Sequence, residues 1–182
     1  MMLCVARFQR QKGIHHAIAA LAEIPGAQLV VVGDGEERSV LEALAAAPEV
    51  VGRVRFAGSK SPDDVAAYMT AADVFLFPTE LPEPAPVVLL EAMASGLPVV
   101  ASDIGGITEV IDRPGENGIL VSPGAVDQLV PAAASLLADA AARRRMGEAA
   151  RRRVEEEYTI ELMVERTLAI YEIARRRLMG TQ

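Results

Sequence analysis

Short apolar runs, each followed by a segment of helical character, recur along this chain from its first residues. Leu3 to Ala6, Gln28 to Val32, Val54 to Phe56, Val74 to Phe77, Pro98 to Ala101 and Ile119 to Val121 read as strands. The continuous apolar character of Gln28 to Val32 calls for cover on both sheet faces. Between the strands, Gly13 opens a helix that runs to about Glu23, with Ile14, Ala17, Ile18 and Leu21 on one face, until Pro25-Gly26 breaks it. A second helix spans about Glu36 to Ala47. Ser61-Pro62-Asp63-Asp64 is a helix start, with a capping hydroxyl, proline at the first helical position and acids in the first turn, and that helix runs to about Thr70. Strands alternating with helices predict an α/β fold, a doubly wound, Rossmann-like parallel sheet. From Val126 onward everything reads as helical, with breaks near Asp139 and Tyr158-Thr159, so the chain ends in several helices.

The chain has 182 residues, 51% of them hydrophobic, which is enough for one full core and excludes a disordered class. No apolar run approaches the roughly 20 residues of a membrane span. Met1 to Arg10 is strand-like and charged, unlike a signal peptide. The single cysteine, Cys4, lies in an apolar run and reads as a small buried hydrophobe. These features lead to the expectation of a cytoplasmic protein. The net charge of −7 is uneven: residues 1–139 hold 8 basic and 18 acidic side chains, whereas residues 140–182 hold 10 arginines and 7 glutamates. Glutamates interleave with the arginines at helical distances, the pattern of solvated helix faces. A peripheral lipid partner stays open for this end, and no nucleic acid is expected.

The most informative stretch runs from Pro78 to Asp103. A loop with Pro78, Pro82, Pro84 and Pro86 follows a strand, because proline suits neither sheet nor helix interior. A helix from Val87 to Ser95 comes next, closed by Gly96 and followed by another strand. Glu83 lies before the helix and Glu91, with seven residues between them, lies inside it. The helix N-terminus offers N–H groups and a positive dipole end to an anion, and carboxylates accept hydrogen bonds from hydroxyls. An anion flanked by polyol is what a sugar nucleotide presents. Ligands of open α/β sheets bind at the carboxyl ends of the strands. Arg7 and Lys12 follow the first strand, five positions apart, and read either as surface cations or as a grip on a diphosphate. Gly33-Asp34-Gly35 reads as a compact strand-to-helix turn or a nucleotide loop. His15 and His16, adjacent on a helix, are read as surface residues that cannot face one ligand together. Glu80 is read as a solvated carboxylate. No Cys/His/Asp grouping has metal-ligand spacing, and no metal is expected.

The run E-P-A-P-V-V-L-L-E-A-M-A-S-G-L-P-V-V-A-S closely resembles the signature of the retaining group 1 glycosyltransferases, two-domain GT-B enzymes that use nucleotide-diphosphate sugars. A-R-F-Q-R-Q-K-G resembles the family's G-R-x-x-x-x-K-G element, with Ala6 at the usual glycine. Gly33-Asp34-Gly35 resembles its V-G-x-G loop, and Gly105 to Val110 its G-G-I-P-E-V segment, with Thr108 at the usual proline. The resemblance implies that Arg7 and Lys12 bind the donor's phosphates and stabilise the leaving diphosphate. It implies that Gly33 lies beside the nucleotide and that Gly58, Ser59 and Lys60 flank the base. Glu91 would accept hydrogen bonds from the ribose, and Glu83 would contact the transferred sugar near its reacting carbon. Ala85, Val87 and Val88 would supply backbone contacts, while Pro86 replaces a usual glycine and removes one donor.

On this resemblance the chain is the C-terminal half of a GT-B fold. Residues 1–157 would form the nucleotide-sugar-binding domain. Residues 158–182 would form a helix crossing back to a missing N-terminal acceptor domain, with Leu162, Val164 or Tyr171 exposed in its absence. No cofactor is implied beyond a UDP-, GDP- or ADP-sugar donor. A lipid acceptor would put the protein at the inner membrane face. Two alternatives remain: a nucleotide-sugar-binding domain without transferase activity, and a sugar-nucleotide epimerase or phosphorylase of similar fold.

Overall fold

The computed structural model of the chain describes residues 1–84 and 86–179. Six strands form one parallel sheet: β1 (Met2–Val5), β2 (Leu29–Val32), β3 (Val54–Gly58), β4 (Val74–Phe77), β5 (Val99–Ser102) and β6 (Ile119–Val121). Their order across the sheet is β3-β2-β1-β4-β5-β6. The helices are α1 (Ile14–Ala22), α2 (Arg38–Ala45), α3 (Pro62–Ala71), α4 (Val87–Ala94), α5 (Ile107–Val110), α6 (Val126–Ala138), α7 (Ala140–Glu157) and α8 (Ile160–Met179).

Strand alternation divides the core in two, because successive side chains point to opposite faces. Cys4, Val31, Leu76, Val100 and Val121 share one face with Ile14, Ile18 and Leu21 of α1, Leu41 of α2 and Leu129 and Leu136 of α6. Leu3, Val30, Val32, Phe75, Phe77 and Val99 share the other with Met69 of α3, Leu89 and Met93 of α4, Ile107 of α5 and Ala150 and Val154 of α7. The pairing preserves this division: Leu3 stands opposite both Val30 and Phe75, and Phe75 opposite Val99. Cys4 is fully buried at the sheet centre, and burial pushes its thiol pKa up to about 12.

Local signals account for the helix ends. The Ser61 hydroxyl accepts the Asp64 N–H, and Pro62 occupies the first position of α3. Asp139 caps α7 by accepting from the N–H groups of Ala141 and Ala142. Two elements go beyond the sequence reading: a 3-10 turn over Arg10–Lys12, expected as loop, and the short α5.

The last helix stands apart in its exposure. Val164 and Tyr171 are exposed, as are Ile160, Met163, Leu168, Ile170 and Ile173, while Leu162 is half-buried. No helix among the described residues is long and apolar enough to cross a membrane.

Candidate functional site

β1 sits where the strand order reverses, with β2 and β3 to one side and β4 to β6 to the other. Such a switch point opens a crevice at the carboxyl ends of the strands. A cavity of about 580 Å³ occurs there, lined from β1 by Val5 to Arg7, from β2 by Val32 to Asp34, from β3 by Ser59 and Lys60, and from α4 by Pro86 to Val88. Gln9, Lys12, Val65, Phe77 and Glu83 complete the wall. Among the residues singled out in the sequence, Arg7, Lys12, Gly33, Ser59, Lys60, Glu83, Val87 and Val88 come together on this one cavity. Gly58 and Glu91 are not in its wall, and Ala85 lies outside the described residues.

The two sides of the cavity are joined. Lys12 Nζ is ion-paired with Glu83, both side chains partly buried. Gly13, directly after Lys12, has φ 69°, and a Cβ there would sit 1.8 Å from the Pro78 carbonyl oxygen. That approach brings the start of α1 against the β4–α4 loop. The buried Thr79 hydroxyl and the Glu80 N–H both donate to the Gln11 carbonyl, at 3.1 and 2.7 Å. Glu83 is held from behind as well. It forms a parallel bridge with Gly105, and the Gly106 N–H donates to its carbonyl at 2.8 Å. A Cβ on Gly106 would lie 2.8 Å from that same oxygen. The Gly105-Gly106 pair, which opens the segment resembling G-G-I-P-E-V, thus fixes the backbone that carries Glu83.

Electrostatically the cavity gathers three cations, Arg7, Lys12 and Lys60, against Asp34 and Glu83. Asp34 is engaged by Arg38 at 2.9 Å and by the Gly35 N–H. The side chains of Arg7 and Lys60 are exposed and make no hydrogen bond or ion pair with any described residue. The N–H groups of Val87 and Val88, in the first turn of α4, have no partner among the described residues. Pro86 stands at the N-cap without a side-chain cap bond. Glu91 is exposed on α4, three and four positions beyond Val88 and Val87 and so on the same helix face, with its carboxylate unpaired among the described residues. Free donors, a positive helix end and unpaired cations suit an anion, and a carboxylate such as Glu83 in the same wall suits hydroxyl groups.

One sequence expectation is overturned. His15 and His16 do face a common group: their Nε2 atoms lie 3.3 and 2.7 Å from Oε1 of Glu80. Their rings approach to 3.9 Å between centroids, which lets neighbouring side chains at a helix start converge. Glu80 is accordingly engaged by both histidines, not simply solvated. Gln9, Val65 and Phe77 join the wall without a sequence motif of their own: Phe77 ends β4 and Gln9 lies in the loop after β1, whereas Val65 comes from inside α3.

The sequence profile described as "Glycosyl transferases group 1" matches residues 1–153. The lipopolysaccharide core biosynthesis glycosyltransferase LpsE of Rhizobium meliloti is 40% identical over 137 residues, covering 71% of this chain and 39% of that protein. The structure of sucrose-phosphate synthase from Thermosynechococcus elongatus superposes with a TM-score of 0.88 at 34% identity, over 100% of this chain and 46% of that one. Anabaena HepE, solved in complex with UDP-glucose, superposes with a TM-score of 0.86 at 27% identity, over 95% of this chain and 48% of its own. The chain thus spans less than half the length of these relatives. With a matching profile over most of its length and a crevice at the strand switch point, the chain belongs to the group 1 glycosyltransferases.

Proposed function

We propose that this chain is the donor-binding half of a retaining GT-B glycosyltransferase. It takes a nucleotide-diphosphate sugar and transfers the sugar to an acceptor held mainly by a domain outside these 182 residues. The observation that carries this reading is the single cavity in which Arg7, Lys12, Lys60, Glu83 and the start of α4 meet. HepE, similar in fold, binds UDP-glucose, which supports a UDP-, GDP- or ADP-sugar here.

In this reading the diphosphate lies against Arg7, Lys12 and the N–H groups of Val87 and Val88. Negative charge grows on the diphosphate as the bond to the sugar breaks, and donors fixed beforehand stabilise that charge without reorganising. Glu83 takes hydroxyls of the transferred sugar, and Glu91 takes those of the ribose. Ser59 and Lys60, with Gly58 behind them, flank the base. Neither half of the catalytic cleft is complete alone, so the isolated chain binds donor weakly and turns over little. The exposed apolar residues of α8 support a role in crossing to the acceptor domain. A cytoplasmic location, with a lipid acceptor at the membrane face, belongs to the same proposal.

Calorimetric titration of UDP, GDP and ADP tests it. One diphosphate is expected to bind, and Glu91→Ala is expected to weaken it by on the order of tenfold, the loss of one charged hydrogen-bonding group. Equal affinity in the variant refutes the ribose contact, and no binding of any of the three refutes the donor site.

A further inference from the structure

A second polar cluster lies outside the donor cavity. A ring nitrogen from each of His15 and His16 and a carboxylate oxygen of Glu80 all lie within 4.8 Å of one another, and none of the three residues lines that cavity. The histidines come from the first turn of α1, and Glu80 comes from the β4–α4 loop, 64 positions beyond His16. In a tetrahedral zinc site, with bonds of roughly 2.0–2.2 Å, ligand atoms stand about 3.3–3.5 Å apart. The separations of 3.3 and 2.7 Å between the histidine nitrogens and Glu80 Oε1 need only small side-chain shifts to reach that spacing.

The cluster is held in place independently of any ion. The Glu80 N–H donates to the Gln11 carbonyl at 2.7 Å, and Gly13 packs against the Pro78 carbonyl. The two ligand-bearing segments therefore meet before a metal arrives, which spares the binding step their ordering. The histidine side chains are only 17% and 18% exposed, while Glu80 is 40% exposed and leaves an approach from solvent. Burial, followed by the neighbouring His16 and Arg10, holds the His15 pKa below its ordinary value, against the opposing pull of Glu80 and Glu37.

We propose that His15, His16 and Glu80 bind one divalent transition-metal ion of the zinc class, through two imidazole nitrogens and one carboxylate, leaving a fourth position for water. Two nitrogens and one oxygen select zinc, cobalt or nickel over magnesium and calcium, which take oxygen ligands. The ion would tie the start of α1 to the β4–α4 loop, the two segments that carry Lys12 and Glu83. The proposal stands apart from the donor reading and holds whether or not a nucleotide binds.

The chain has two histidines and one cysteine, the latter fully buried, so competing soft ligands are few. Zinc and cobalt chlorides are titrated into the full chain without nucleotide. The expected result is one saturable equivalent, the visible absorption of tetrahedral cobalt, and a shift of the ring nitrogen resonances of both histidines. His16→Asn and Glu80→Gln should each weaken binding about 10- to 100-fold. The nitrogen resonances need no substitution, so the site is read even if a variant fails to fold. Resonances unmoved by excess zinc, or unchanged affinity in both folded variants, overturn the site.

Discussion

Lys12 and Glu83, 71 positions apart in the chain, are ion-paired in the wall of the cavity. Both side chains are partly buried, at 24% and 19% exposure. A donor that uses both must therefore enter an existing pair and replace or share it. Lys12→Met removes the cation and leaves Glu83 without this partner. Nucleoside diphosphate affinity is expected to fall by about 1.5–3 kcal/mol, the range for a hydrogen bond to a charged group, which calorimetry reads as roughly ten- to a hundredfold. Unchanged affinity would show that Lys12 serves only to position Glu83.

Gly13 carries a conformation and a contact that no other residue type satisfies. Its φ of 69° opposes a side chain, and so does the Pro78 carbonyl oxygen, which a methyl on Gly13 would meet at 1.8 Å. Gly13→Ala is expected to cost at least about 2 kcal/mol of stability, seen as a lower denaturant midpoint with unchanged slope.

Gly106 supports the site without touching it. Gly106→Ala pushes a methyl against the carbonyls of Pro84 and Glu83, at 2.7 and 2.8 Å. The backbone under Glu83 has to shift. Donor affinity is expected to fall several-fold in the variant, and a variant that binds sugar nucleotide as tightly as the parent would sever the link between this turn and Glu83.

Asp139 gives the fold a pH dependence of known sign. The N–H of Ala142 acts most strongly and desolvation opposes it, while the N–H of Ala141 and the nearby Arg145 and Arg143 add to the pull, so the carboxyl is held below the usual carboxylate range. A depressed folded-state pKa stabilises above the unfolded value of about 3.9 and stops doing so as pH falls through the folded value. Asn also caps helices but does not titrate. Asp139→Asn should therefore lose stability relative to the parent at neutral pH, and the gap should close as pH falls below about 4 in thermal melts.

Much of the fold was legible because it rests on local pattern. The strands Val74–Phe77 and Ile119–Val121 end where their apolar runs end, and Ser61 caps α3 as its hydroxyl and the following proline indicate. The cavity residues Arg7, Lys12 and Glu83 were legible through motif spacing, since each follows a strand that the sheet aligns. What was hidden depends on distant partners. Nothing beside His15 and His16 signals that Glu80 comes to meet them, and nothing near Gly106 signals that its N–H supports Glu83. The 3-10 turn at Arg10–Lys12 was hidden too, because it is only three residues long and contains no buried side chain.

The buried position of Cys4 has a practical consequence. A thiol whose pKa stands near 12 holds almost no thiolate at neutral pH, and thiolate is the nucleophile that maleimides and iodoacetamides need. An engineered cysteine on an exposed position, such as one along α8, would be modified selectively while Cys4 stays silent. Fluorophores or spin labels can therefore be attached at single chosen points without first removing the native sulfur.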